Sequence, residues 1–179
     1  EHYDRGLGPV IFADYAADMA ARVAAVAPAH VLETAAGTGI VTRALRDRLP
    51  AATQLTATDL NAPMLEIARA KFKPDERVKF QIADAQALPF GDAIFDAMVC
   101  QFGIMFYPDL PKSYREAWRV LVPGGRYFFS VWDAHRYNGF ARLTDAIIKQ
   151  TFPVDPPGFY RVPFSCAAPW RGGRAKWPM

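Results

Sequence analysis

Apolar positions change period along this chain, and each change marks an element. Ile11, Tyr15, Met19, Val23 and Val26 recur every three or four residues. That stripe predicts a helix down to Pro28, with Pro9 suited to its first turn. Val31-Leu32-Glu33 is a short apolar run closing on an acid. A turn of small residues follows, and then Val41, Ala44, Leu45 and Leu49 recur at helical spacing among Arg43, Arg46, Asp47 and Arg48. This reads as strand, glycine turn, helix. Gln54–Asp59 predicts a second strand. Asn61 caps the next helix, with Pro63 in its first turn and Leu65, Ala68 and Phe72 on its buried face. Val78–Ile82 alternates as a third strand. Phe95–Gln101 is almost continuously apolar, as a central parallel strand buried on both faces would be. Asp109 caps a helix striped by Leu110, Tyr114, Ala117, Trp118 and Leu121. Pro123-Gly124-Gly125 ends it, and Arg126–Trp132 is rich in β-formers. Asn138 caps a helix to about Gln150, with Phe140, Leu143, Ile147 and Thr151 on one face. Pro153, Pro156, Pro157 and Gly158 then break the pattern, and Cys166–Met179 has no period.

Strands alternating with helices predict an α/β domain, and 179 residues suffice for one domain with a real core. The composition, 51% hydrophobic and 22% charged, is that of an ordinary globular chain. No apolar run is long enough to span a membrane. Cys100 and Cys166 make no disulfide framework, which points to a reducing, cytoplasmic setting. The net charge of +3 is carried by the end of the chain. Every acid lies at or before Asp155, and Arg161, Arg171, Arg174 and Lys176 follow; the remainder holds 17 basic and 18 acidic residues. A nucleic-acid binder would carry its basic surface on the folded body, so no nucleic-acid partner is expected. His2, His30 and His135 are scattered, so no metal site is expected. No G-x-S-x-G elbow suggests a hydrolase.

The chemistry gathers at Glu33-Thr34-Ala35-Ala36-Gly37-Thr38-Gly39. Gly37 and Gly39 let the backbone turn sharply and admit a ligand where a Cβ would block it, and the next helix points free N–H groups into the same space. Asp59 ends the second strand 20 residues after Gly39. In nucleotide-binding α/β units an acid at that distance receives the ribose hydroxyls. The third glycine of a dinucleotide fingerprint would fall on Thr42, and Glu33 opens the turn where a pyrophosphate would have to sit. Both features favour a nucleoside ligand without phosphates over NAD(P).

The chain resembles the class I S-adenosylmethionine-dependent methyltransferases, specifically the small-molecule group with a methyltransferase type 11 domain. Glu33 to Gly39 stands where that family writes D-x-G-x-G-x-G, with Glu33 for the Asp and Ala35 for the first glycine. The helix, Pro-Gly-Gly turn and aromatic strand ending at Trp132 are another mark of the family, and the resemblance covers about residues 3 to 165. It implies a Rossmann-like doubly wound sheet with a parallel core in order 3-2-1-4-5 and with the usual C-terminal antiparallel hairpin missing. It also implies S-adenosylmethionine as cofactor, S-adenosylhomocysteine as product and methyl transfer to a small-molecule acceptor. Glu33, Ala35, Gly37 and Gly39 would hold the methionine end and Asp59 the ribose. Leu60 and Met64 would cover one face of the adenine, while Asp84 and Ala85 read its edge. Gln101 would sit beside the transferring sulfur. Phe102, with Phe106 and Tyr107, offers aromatic faces to the sulfonium. The N-terminal helix would cap this pocket through Phe12 or Tyr15.

The expected organisation is an N-terminal cap segment and helix (1–29), a cofactor-binding core (30–133), a lid and helical region (134–165) and an irregular tail (166–179). No single base is selected; Asp133, His135, Tyr107, Tyr137 and Tyr160 are the candidates. The resemblance stops near Ser165, as a truncation or frame change would make it. Arg126–Trp132 is therefore expected to be an open sheet edge, covered by the chain's own C-terminal segment or by a second copy in a homodimer. Two other functions fit the pattern: a non-catalytic module that binds S-adenosylmethionine or S-adenosylhomocysteine, and an NAD(P)-linked oxidoreductase. The second is disfavoured by Thr42 and by the lack of a Tyr-x-x-x-Lys pair.

Overall fold

A computed structural model of the chain describes residues 3–164. The chain divides into two compact units, Glu1–Ser130 and Val131–Met179. The expectations for the 166–179 tail lie outside the described residues.

The first unit carries a five-stranded sheet: β1 (His30–Glu33), β2 (Gln54–Asp59), β3 (Val78–Ile82), β4 (Phe95–Gln101) and β5 (Leu121–Ser130). Their order is β3-β2-β1-β4-β5 and every pairing is parallel, as the sequence predicts. Between the strands run α2 (Ile40–Arg48), α3 (Ala62–Arg69) and α4 (Leu110–Val120), preceded by α1 (Ala13–Ala24). β1 and β4 are central, so their side chains are buried on both faces. Val31, Ala97 and Val99 pack with Ala16, Met19, Ala20 and Val23 of α1 and Val41 and Leu45 of α2. Leu32 and Met98 face the other way, toward Ala117 and Val120 of α4. Each fully buried Val, Leu or Met among them stabilises the fold by roughly 1.5–3 kcal/mol, and each Ala by less.

Local signals act as read. The Asn61 side chain accepts from the Met64 N–H at 3.2 Å and the Asp109 carboxylate from the Lys112 N–H at 2.9 Å. Both helices therefore start where the cap residue satisfies an otherwise orphaned donor. Arg46 is buried at the far end of α2, where its guanidinium donates to the Thr53 carbonyl at 2.8 Å and the Leu49 carbonyl at 2.9 Å and fastens the turn into β2.

Three elements of this unit differ from expectation. Tyr3–Phe12 winds as wide π-helical turns that contain Pro9, and the regular α-helix begins only at Ala13. β5 starts at Leu121 rather than Arg126 and ends at Ser130 rather than Trp132. The Pro-Gly-Gly stretch lies inside it as an irregularity, because β4 residues Phe95 and Ala97 face Leu121 and Arg126. Gly124 takes φ +83° there, a conformation that side chains resist. Trp118 is 69% exposed, and Ser113, Ala117 and Val120 form the buried face of α4. Among the described residues β5 pairs only with β4.

In the second unit α5 (Gly139–Thr151) is capped by Asn138, whose side chain accepts from the Ala141 N–H at 3.1 Å. Phe140, Leu143 and Ile147 share one face, but it is the outward one; Ala141 and Asp145 are buried. Asp145 pairs with Lys149 at 2.8 Å and receives the Arg161 Nε–H at 3.0 Å. These ion pairs tie the helix to the chain that follows it. No helix among the described residues is long and apolar enough to cross a membrane.

Candidate functional site

Side chains alternate along a strand, so residues two apart share a face. Val31, Leu55, Ala97, Val99 and Phe128 lie on the α1–α2 face. Continuing those rows to the carboxyl ends of the strands gives Glu33, Asp59, Gln101 and Ser130. Register sets their levels. Glu33 is the Cα partner of Ala57 and of Val99, whereas Gln101 is the partner of Ser130. Glu33 therefore forms the floor, Asp59 and Gln101 rise on either side one repeat higher, and Ser130 stands beyond Gln101.

The glycine turn closes over this row. Ala35, Gly37 and Gly39 have φ of +53°, +55° and +80°. For Ala35 this is a left-handed conformation that an L side chain enters at a cost of about 1–2 kcal/mol. Its methyl group occupies the place a Cβ on Gly103 would take, only 2.4 Å from that position. Gly103 in the loop after β4 is held to glycine by the Ala35 methyl and by the Cys100 Sγ, which that Cβ would meet at 3.0 Å. The two small residues in the turn differ in purpose. A Cβ on Gly39 would meet the Ala68 Cβ of α3 at 2.8 Å, so that glycine permits helix packing. A Cβ on Gly37 would find only the Met64 Sδ, at 4.0 Å, so that side of the turn is open. The Gly37 N–H donates to Asp59 Oδ2 at 2.8 Å and the Asn61 N–H to Asp59 Oδ1 at 2.8 Å. Asp59 joins the turn to the start of α3 before any ligand arrives, and each carboxylate oxygen retains further accepting capacity.

Glu33 is 2% exposed, and its Oε2 has no hydrogen-bond partner among the described residues. Burial pushes its carboxyl up to about 8, and the nearby Asp59 charge adds to the shift. No hydrogen bond of normal geometry satisfies the Thr42 hydroxyl, although that hydroxyl and the Thr42 amide lie close enough to offset part of the rise. The floor of the site is a buried acid with spare accepting capacity. Gln101 repeats the theme: its Nε2 donates to the Phe12 carbonyl at 3.3 Å, and its Oε1 is buried without a partner among the described residues.

The other sequence-derived residues distribute as follows. Phe102 is buried against Phe12, with ring centroids 5.9 Å apart, and edge-on to Tyr15 at 5.1 Å. The N-terminal segment thus meets the end of β4. Asp84 folds back on itself after β3, its Oδ1 accepting from the Gln86 N–H at 2.8 Å. Ala85 is buried beside it. Leu60 is 67% exposed, and Phe106 is exposed as well. Tyr107 lies on the opposite face of β4 from Gln101. Its hydroxyl contacts the Cys100 Sγ at 3.4 Å and donates to the Thr34 Oγ1 at 3.3 Å. Burial holds the Tyr107 phenol far above its usual range, so it stays protonated at neutral pH. Asp133, His135 and Tyr137 belong to the second unit. The Tyr160 side chain lies outside what is described.

Sequence reasoning did not single out Ser130. Its hydroxyl is buried at the end of the same row, without a partner among the described residues. Counting the alternation of β5 back through Phe128 is the signal that reaches it.

A parallel sheet in this order, with an acid-floored glycine turn at the carboxyl ends of its central strands, defines a doubly wound α/β protein of the class whose ligand sites lie at those strand ends. The family can be stated more closely. The family model described as "Methyltransferase domain" matches residues 32–129, more than half of the chain, and the chain belongs to that family of class I S-adenosylmethionine-dependent methyltransferases. It is similar to the demethylmenaquinone methyltransferase of Thermus thermophilus, 36% identical over 152 residues that cover 82% of this chain and 60% of the relative. It is also similar to the ubiquinone/menaquinone biosynthesis C-methyltransferase UbiE of Zymomonas mobilis, 36% identical over 116 residues, covering 64% of this chain and 47% of the relative. The chain therefore spans about half to three-fifths of the length of these curated relatives. Among solved structures, the YcgJ protein from Bacillus subtilis superposes with a TM-score of 0.59 at 25% identity, covering 84% of this chain and 62% of that one.

Proposed function

We propose that this chain binds S-adenosylmethionine along the carboxyl ends of β1 to β4 and directs its methyl group to a small-molecule acceptor. The observation that carries the proposal is the buried, unpartnered Glu33 oxygen beneath a turn whose Gly37 side is open. An acid with no protein donor suits a ligand bearing an ammonium group. Bound S-adenosylmethionine supplies a methyl group already activated on a sulfonium.

The chain's own residues would do the rest. Glu33 gives up the proton that burial holds on it as it receives the ammonium, while the Gly37–Gly39 turn and Ala35 shape the space for the methionine end. Asp59, already fixed by two backbone N–H groups, accepts the ribose hydroxyls. Met64 and Leu60 cover the adenine, the Asp84 carboxylate accepts from its exocyclic amine, and the Ala85 N–H faces its ring nitrogen. Gln101 and Phe102 border the sulfur. Such positioning can lower a barrier by up to roughly ten kcal/mol in favourable systems. The names of the quinone-methylating relatives favour an aromatic acceptor.

A thermal-shift panel with S-adenosylmethionine, S-adenosylhomocysteine, NAD and NADP tests the reading. A ligand at about 100 times its dissociation constant stabilises by roughly 2.7 kcal/mol, or about 5–10 °C for a chain of this size. Both adenosyl compounds should shift the transition. A shift with NAD alone would overturn the proposal. Binding without turnover on a panel of hydroquinones would favour a module that only binds the cofactor.

A further inference from the structure

Of the four polar residues that end the rows on the α1–α2 face, Glu33 and Asp59 serve the cofactor reading on β1 and β2. The other pair lies on the far side of β1. Gln101 and Ser130 are Cα partners on adjacent parallel strands, so their side chains leave the same face side by side. Gln101 Oε1 and Ser130 Oγ are both buried and both lack a hydrogen-bond partner among the described residues. Buried polar atoms are seldom left so, because an unmade hydrogen bond costs more than a made one returns. The Gln101 amide is also oriented: its nitrogen is engaged by the Phe12 carbonyl at 3.3 Å, so its oxygen is the end left over. The nearby walls are aromatic. Phe102 follows Gln101 directly in the chain and packs against Phe12 and Tyr15.

We propose that Gln101 and Ser130 form a subsite for the hydroxyl of the methyl-accepting molecule, and that this molecule is a phenol or hydroquinone. A phenolic hydroxyl matches the pair because it donates and accepts at once. Its O–H donates to Gln101 Oε1, an acceptor only, and its oxygen accepts from the Ser130 O–H. The subsite orients the ring and performs no proton transfer; Gln101 and Ser130 are positioning residues. This inference rests on the S-adenosylmethionine reading for the molecule's role as acceptor, while the hydroxyl subsite stands on the Gln101–Ser130 pair itself.

The test measures 1-naphthol against 1-methylnaphthalene, in which a methyl replaces the hydroxyl at nearly equal size. Saturation-transfer NMR on the full chain, with and without S-adenosylhomocysteine, reads both affinities. A site built to bond a hydroxyl should prefer 1-naphthol by about tenfold or more. Ser130→Ala should reduce that preference to about threefold or less, with S-adenosylhomocysteine affinity held within about twofold of the parent. Equal affinity for the two probes, or an undiminished preference in Ser130→Ala, overturns the subsite. If the preference is present but S-adenosylhomocysteine does not bind, the subsite stands and the cofactor reading falls. If the cofactor product binds and the preference is absent, the reverse holds.

Discussion

Replacing Glu33 by Gln should change how stability responds to pH. Glu33 is 2% exposed, has one oxygen without a partner and has its carboxyl raised to about 8 by burial and by the Asp59 charge. In the unfolded chain the same group titrates near the ordinary value of 4.5. Between those two values the folded protein keeps a proton that the unfolded protein has released. Stability therefore falls as pH rises through this window and levels off above about 8. At about 1.4 kcal/mol per tenfold change in proton affinity, the full effect is about 5 kcal/mol, a large part of the 5–15 kcal/mol that typically holds a domain together. Gln occupies nearly the same volume and cannot ionise. Urea denaturation of both proteins from pH 5 to pH 9, followed by tryptophan fluorescence, isolates the difference, because every other titrating group is shared. The variant should gain steadily on the parent as pH rises and become the more stable of the two on the alkaline side. A difference that stays within about 1 kcal/mol across the range would show that Glu33 is hydrated or paired in the folded state.

Asp59→Ala removes the acceptor of the Gly37 and Asn61 N–H groups and the expected ribose contacts together. Calorimetry with S-adenosylhomocysteine should show at least a tenfold loss of affinity, and stability should fall by roughly 1–3 kcal/mol; unchanged affinity would remove Asp59 from the ligand site. Gly103→Ala should destabilise by about 2 kcal/mol or more, since its methyl would lie 2.4 Å from the Ala35 Cβ. Adding Ala35→Gly should restore part of that loss, the Cys100 Sγ at 3.0 Å keeping the rest, and give a coupling energy of about 1 kcal/mol or more in a double-mutant cycle; additive effects would refute the interlock of the two loops.

The elements of this protein were legible in the chain because their signals are local. The apolar runs of β1 and β4, the alternation of β3 and the caps Asn61, Asp109 and Asn138 each need only a few neighbouring residues to be read. The ligand turn at Gly37 and the ribose role of Asp59 are read from the motif and its spacing, whereas the order 3-2-1-4-5 and the methionine-end role of Glu33 are what the resemblance to a family implies. Where local periodicity was the only guide, the faces were misjudged. Trp118 repeats correctly for the stripe of α4 yet points to solvent, and the apolar stripe of α5 faces outward while Asp145 is buried with its ion pairs.

Other features belong to the tertiary structure alone. Gly103 is crowded by Ala35, 68 positions earlier, as well as by nearby Cys100, and Gly39 must be glycine because α3 returns to lie on it. Gln101 has a fixed amide because Phe12, 89 positions away, takes its nitrogen. Ser130 joins Gln101 because the register of β5 against β4 puts them side by side, after an irregularity at Pro123–Gly125 that no period announces. A sequence encodes the rhythm of each segment. Which partner each residue meets is decided by strand register and helix approach, and the site is made of those meetings.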